Sequence, residues 1–202
     1  GHKADEIWSC AMKEVIRLTV VLTVVCVLAG LSLSYVSDAT EEARAYQDRL
    51  ELLSSLNMVL PEHDNEPDSD AVIIDDVTYY ISKKDGKING IAFATSSDKG
   101  YSGAIRVMMG ITPEGEIITI KILEQKETPG LGTKITEDWF IDQYKGKSLN
   151  NARWAVKKDG GDFEQISGAT ISPRAVTVAV RTGLEAYEKN KQEILGGGDV
   201  VQ

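Results

Sequence analysis

The stretch VIIDDVTYYISKKDGKINGIAFAT, residues 72–95, decides the fold class. Val72–Ser82 and Ile88–Thr95 are rich in β-branched and aromatic residues, and Lys83-Lys84-Asp85-Gly86-Lys87 lies between them. An Asp-Gly pair supplies the positive φ angles of a tight hairpin turn, so the stretch predicts two antiparallel strands. The pattern recurs downstream, where Ala104–Thr112 and Ile117–Gln125 flank the turn signal Pro113-Glu114-Gly115-Glu116. Helical spacing appears only outside these hairpins. One short helix is expected near Glu137–Tyr144. A longer one runs from about Ile171 to Lys191, with Ile171, Ala175, Val178, Ala179 and Tyr187 as its apolar stripe. Consecutive hairpins with helices gathered at the ends predict an α+β domain built on an antiparallel sheet.

Upstream of the hairpins, Leu18–Ser37 is a run of 20 residues without a charge, eleven of them Leu or Val. At about 1.5 Å per residue it reaches roughly 30 Å, the thickness of a hydrocarbon core. Each Leu or Val contributes about −0.3 to −0.6 kcal/mol to insertion, together on the order of −5 kcal/mol, which outweighs the hydroxyls of Thr19, Thr23, Ser32 and Ser34. The run reads as a membrane-spanning helix in preference to a buried core helix. It is too long for a cleaved signal peptide, and Cys10 and Cys26 are misplaced for a lipoprotein anchor. Tyr35 fits an interfacial aromatic position. Lys3, Lys13 and Arg17 precede the span, while Arg44 and Arg49 follow it. This bias places the N-terminus in the cytoplasm and the domain outside it.

The chain therefore divides into an N-terminal tail (1–17), a transmembrane helix (18–37), a juxtamembrane helix with an acidic linker (38–70), the sheet domain (71–194) and a loose tail (195–202). Tyr46, Leu50, Leu53 and Leu60 mark the juxtamembrane helix, which Pro61 ends. Pro61–Asp70 holds five carboxylates but lacks the spacing of an EF-hand, so no metal site is expected. No cysteine follows position 26, which excludes disulfide, iron–sulfur and cysteine–zinc chemistry from the domain. The net charge of −9 argues against a nucleic-acid partner.

Chemistry concentrates at Ile166-Ser167-Gly168-Ala169-Thr170-Ile171-Ser172-Pro173, where a loop turns into the last helix. Thr170 or Ser172 could cap that helix, and Pro173 is tolerated in its first turn. Small residues let a ligand approach the backbone, whose free N–H groups attract an anion. No carboxylate lies between Gln165 and Leu184, but Arg174 and Arg181 do. On these residues alone, an ordinary helix cap and an anion site are equally good readings. The second glycine-marked segment, Thr128-Pro129-Gly130-Leu131-Gly132, permits positive φ and close approach to a flat ring. Seen alone, the loop reads first as a tight strand-to-helix connection. Trp139 and Trp154 read as core residues.

Ser167-Gly168-Ala169-Thr170 resembles the flavinylation motif of the FMN-binding domain shared by the Rnf and Na+-translocating quinone reductase complexes. Gly100-Tyr101-Ser102-Gly103, the following hairpin and Glu127-Thr128-Pro129-Gly130-Leu131-Gly132 are similar to that family's glycine-marked strand pair and E-T-P-G-L-G loop. Lys134 and Trp139-Phe140 fall where the family has a further helix. The family often carries an Asp a few residues before its motif; here Glu164 stands instead, or Asp162 at a different spacing.

The resemblance implies FMN as cofactor, moved from FAD by a flavin transferase and esterified through its phosphate to Thr170. Ser167, Gly168 and Ala169 would then shape the phosphate turn, while Thr128, Pro129, Gly130 and Leu131 border the ring. No residue need act as acid or base. The implied role is an electron relay in a cell-membrane translocase, with other membrane subunits and the bilayer as partners. The short soluble domain suits the Rnf type, a ferredoxin:NAD+ oxidoreductase, better than the quinone reductase type. A stand-alone flavin reductase and a non-enzymatic, membrane-tethered anion-binding module are the competing readings.

Overall fold

A computed structural model describes residues 2–196 and divides them into two units that meet between Leu50 and Glu51. The first unit is helical, part of α1 (His2–Val59). Its segment Ile16–Glu41 is long and apolar enough to cross a bilayer. The large apolar side chains there are exposed, from Val24 at 50 % to Tyr35 at 76 %, so this run is not a core helix. Thr23 and Ser32 return their hydroxyls to the carbonyls of Thr19 and Leu28, 2.9 and 2.8 Å away, as a hydroxyl in lipid must.

The second unit is a five-stranded antiparallel meander in the order β1 (Val72–Ile74), β2 (Val77–Lys84), β3 (Lys87–Ser97), β4 (Ile105–Ile111), β5 (Ile117–Glu124). It also holds a five-residue helix, α2 (Asp138–Asp142), and the long α3 (Ile171–Gly196). The expected α+β architecture is present. One strand is not as the sequence suggested: Val72–Ser82 breaks into β1 and β2 at Asp75-Asp76. Both aspartates take positive φ, 49° and 62°, as a two-residue hairpin turn requires. Asp tolerates this backbone, and the Asp75 carboxylate is held by Lys189 Nζ at 2.8 Å.

Strand alternation gives the sheet two buried faces. Tyr79, Phe93, Met109 and Ile120 form a row across four strands by direct pairing, and α3 packs on this face through Ala175, Val176, Ala179, Val180 and Tyr187. Gly183 allows close contact, since a Cβ there would meet Met109 Sδ at 2.8 Å. The opposite face carries Ala92 and Met108, covered by Leu52, Leu56 and Val59 from the end of α1 and by Leu60 just after it. Residues 51–70, read from sequence as helix and linker, thus pack within the compact unit. Of the residues that mark this helix in the sequence, Leu60 is buried, while Tyr46 and Leu50 are exposed. Two fully buried side chains such as Leu56 and Val59 each contribute about 1.5–3 kcal/mol. The acidic loop is also fixed: Asn65 Nδ2 donates to Ile81 O at 2.8 Å, and Lys83 pairs with Asp70 at 3.0 Å. Of the expected C-terminal tail, Leu195 and Gly196 are helical and 197–202 lie outside the described residues.

Candidate functional site

The turn before α3 is built by hydrogen bonding. Ala169 N–H donates to Ile166 O at 3.0 Å, with Gly168 at φ 81° in the third position, where only glycine is unstrained. Thr170 follows and caps the helix: its carbonyl accepts the Arg174 N–H at 3.3 Å, while Ile171 and Ser172 have no backbone acceptor among the described residues. Pro173 stands in the first turn, where it has no N–H to leave unpaired. The turn cannot drift, because Tyr144 OH reaches Thr177 Oγ1 at 2.8 Å and Thr177 donates to Pro173 O at 2.9 Å. Burial pushes the Tyr144 hydroxyl far above its ordinary titration range.

The loop after β5 closes on itself. Leu131 and Thr133 N–H groups both donate to Thr128 O, at 3.1 and 3.4 Å, and Gly130 takes φ 73°. Behind it lies Glu127, only 4 % exposed. Its Oε1 accepts the Ser102 N–H at 3.0 Å and its Oε2 accepts the Ser172 hydroxyl. One carboxylate therefore ties together the Gly100–Gly103 loop, the Thr128–Gly132 loop and the start of α3.

These segments enclose an open cleft of about 630 Å³ lined by Tyr101, Glu127, Thr128, Leu131, Lys158, Thr170 and their neighbours. The volume falls in the usual range of small-molecule sites. Of the residues named from sequence, Thr128, Leu131, Gly168, Ala169 and Thr170 line it; Ser167, Pro129 and Gly130 do not. The two glycine-marked segments, 39 residues apart at Leu131 and Thr170 in sequence, meet here. A Cβ at Gly168 would stand 3.6 Å from Leu131 Cδ2. The walls suit a phosphorylated aromatic ligand. The lining offers the Thr170 hydroxyl, the N–H groups of Ile171 and Ser172, and the Lys158 ammonium as polar groups, and Leu131 and Tyr101 as apolar surface.

The basic residues expected near an anion are placed differently. Arg174 pairs with Asp159 at 2.5 and 2.6 Å, and that guanidinium holds the Asp159 carboxyl below its usual range. It lines a second cavity of about 380 Å³ together with Lys99, Trp154 and Thr177. Arg181 pairs with Glu185 at 2.8 Å. Lys158, which makes no ion pair among the described residues, lines the cleft together with Thr170. Trp139 is 47 % exposed rather than core, whereas Trp154 packs on Phe163 with ring centroids 4.9 Å apart. Glu127, Ser172, Tyr101 and Lys158 were not singled out as site residues by the sequence. The available signal was the position of Glu127 and Tyr101 inside the glycine-marked segments.

Residues 100–185 match the family described as the FMN-binding domain. The G subunit of the ion-translocating oxidoreductase complex from Cereibacter sphaeroides is 39 % identical over 83 % of this chain and 82 % of its own length. Its counterpart from Vibrio atlanticus is 37 % identical over 77 % of this chain and 82 % of its own. A crystal structure of Shewanella oneidensis NqrC overlaps 59 % of this chain and 61 % of that one, with TM-score 0.49 and 22 % identity. Sequence identity to the two G subunits, over most of both lengths, shows that the chain belongs to the G-subunit family of the ion-translocating oxidoreductase complex.

Proposed function

We propose that the domain carries FMN esterified through its phosphate to the Thr170 hydroxyl and relays electrons within an Rnf-type complex that oxidises ferredoxin and reduces NAD+. Family membership makes the chain a redox subunit of a membrane-bound oxidoreductase complex, with the other subunits as partners. The observation that carries the finer reading is the meeting of the Ser167–Thr170 turn and the Thr128–Gly132 loop on one cleft.

Bound FMN supplies one-electron redox chemistry; the protein supplies position and electrostatics. Thr170 offers the nucleophilic oxygen. A flavin transferase uses FAD as donor, so the new Oγ1–phosphorus bond replaces the pyrophosphate bond, and AMP leaves with the hydroxyl proton lost to solvent. Ser167, Gly168 and Ala169 keep the turn free of bulk. The Ile171 and Ser172 N–H groups, with the helix dipole, receive the phosphate. Lys158 balances its charge. Thr128 and Leu131 border the ring from the other wall, and Pro129 and Gly130 shape the loop behind them. No side chain acts as acid or base.

The apolar helix anchors the subunit in the membrane, with the N-terminus cytoplasmic and the flavin domain outside. A cysteine placed at exposed Asp98 should react with an impermeant thiol reagent in intact cells; reaction only after lysis would reverse this orientation. For the function itself, the test is co-expression with a flavin transferase followed by a denaturing gel. Fluorescence should travel with the polypeptide, and the native protein should co-purify with other redox subunits. A dark band would rule out the covalent relay and leave an anion-binding module; a fluorescent band without partners would indicate a stand-alone reductase.

A further inference from the structure

We infer that Glu127 is a positioning residue whose charge also holds down the potential at which the bound flavin accepts an electron. The inference rests on the flavin reading above. A glutamate 4 % exposed is unusual unless it has a partner of opposite charge, and among the described residues Glu127 forms no ion pair. Its neighbours are neutral donors: the Ser102 N–H at 3.0 Å and the Ser172 hydroxyl. Room for the carboxylate is kept by two glycines. A Cβ at Gly132 would stand 2.9 Å from Oε2, and one at Gly100 would stand 3.0 Å from Oε1.

Holding the three segments together does not require a charge, because an amide oxygen would accept the Ser102 N–H equally well. Burying an unpaired carboxylate costs free energy that a structural role would not justify. The group lines the same cleft as Thr128, Leu131 and Tyr101. A fixed negative charge lining the cleft that would hold the flavin opposes the arrival of an electron there. The buried carboxylate therefore both fixes the wall and biases the redox equilibrium toward the oxidised form.

The test uses the full chain in detergent, co-expressed with a flavin transferase, and spectroelectrochemical titration. The wild type must first show covalent flavin; failure there overturns the relay reading itself and is distinguishable from failure of this inference. In loaded, folded protein, Glu127→Gln keeps the acceptor for Ser102 and removes the charge. It should raise the reduced-to-oxidised ratio at a fixed ambient potential about tenfold, a shift of roughly 59 mV for one electron. Ser172→Ala removes a donor that disperses the charge and should shift the ratio the opposite way, by about threefold. It decides alone if the Gln variant does not fold. Unchanged potentials in loaded variants would reduce Glu127 to a structural tie and overturn the inference.

Discussion

Two glycines that line the cleft, Gly132 and Gly168, are required for opposite reasons. Gly132, on the loop wall, is buried, and its conformation would suit any residue. What it lacks is space, since a Cβ would meet Glu127 Cβ at 2.7 Å and Ser172 Oγ at 2.8 Å. Gly168, on the turn wall, is exposed and has room, yet its φ of 81° excludes an unstrained side chain. The loop wall is thus fixed by packing around a carboxylate, while the turn wall is fixed by backbone geometry and left open. An open turn is what an attachment reaction needs, because a transferase must reach the hydroxyl. A packed loop is what a reproducible potential needs, because a ring bordered by mobile groups would sample many environments.

If the loop wall is the packed one, Gly132→Ala carries a larger stability cost than either positive-φ glycine, about 1–3 kcal/mol from overpacking. Gly168→Ala and Gly130→Ala should each cost less, about 1–2 kcal/mol from the left-handed backbone alone. Urea midpoints of the three variants measure the order, and a Gly168 variant weaker than the Gly132 variant would erase the distinction between the walls.

The next effect is redox rather than stability. Leu131→Glu would set a second carboxylate on the loop wall and lower the flavin potential by about 30–60 mV, roughly 0.7–1.4 kcal/mol for one electron. Attachment at Thr170 should persist, because it depends on the other wall. An unchanged potential in a fully loaded variant would move the ring away from Leu131.

The smallest effect concerns Arg174, which lies near the turn but outside the cleft. Arg174→Gln should leave flavin attachment intact. Its consequence is confined to the Asp159 pair, whose carboxyl is held below the usual range by the guanidinium. A depressed folded value means the pair stabilises above the unfolded value of about 3.9 and is lost as pH falls through the folded one. Melting curves of wild type and variant should therefore differ slightly at neutral pH and coincide in strong acid. Loss of flavin from this variant would return Arg174 to the phosphate.

Much of the fold is legible because alternation and turn chemistry are local. Asp85-Gly86, at φ 51° and 72°, forms the hairpin its composition demands. The Asp75-Asp76 turn was hidden because aspartate is compatible with positive φ without demanding it. The docking face of the helix after the membrane span depends on which leucines meet Ala92 and Met108, a tertiary fact with no local signature. The two glycine-marked segments are visible as motifs, whereas their meeting is a product of the fold. The site roles of Glu127 and Lys158 are not legible in the sequence, because a single charged residue gives no sign of burial or of what it faces. Arg174 illustrates the converse: its spacing suited an anion, but Asp159 reached it first.

The central claim is a covalent bond to one oxygen, and peptide mass tests it most directly. Trypsin should release Asp159–Arg174 from the protein matured with a flavin transferase. This peptide is expected to carry the mass of FMN less one water, with the modification on Thr170, and the Thr170→Val peptide, from protein folded as the wild type, to carry none. A flavin increment that persists in the Thr170→Val peptide, or that maps to another residue in the wild type, would contradict the assignment.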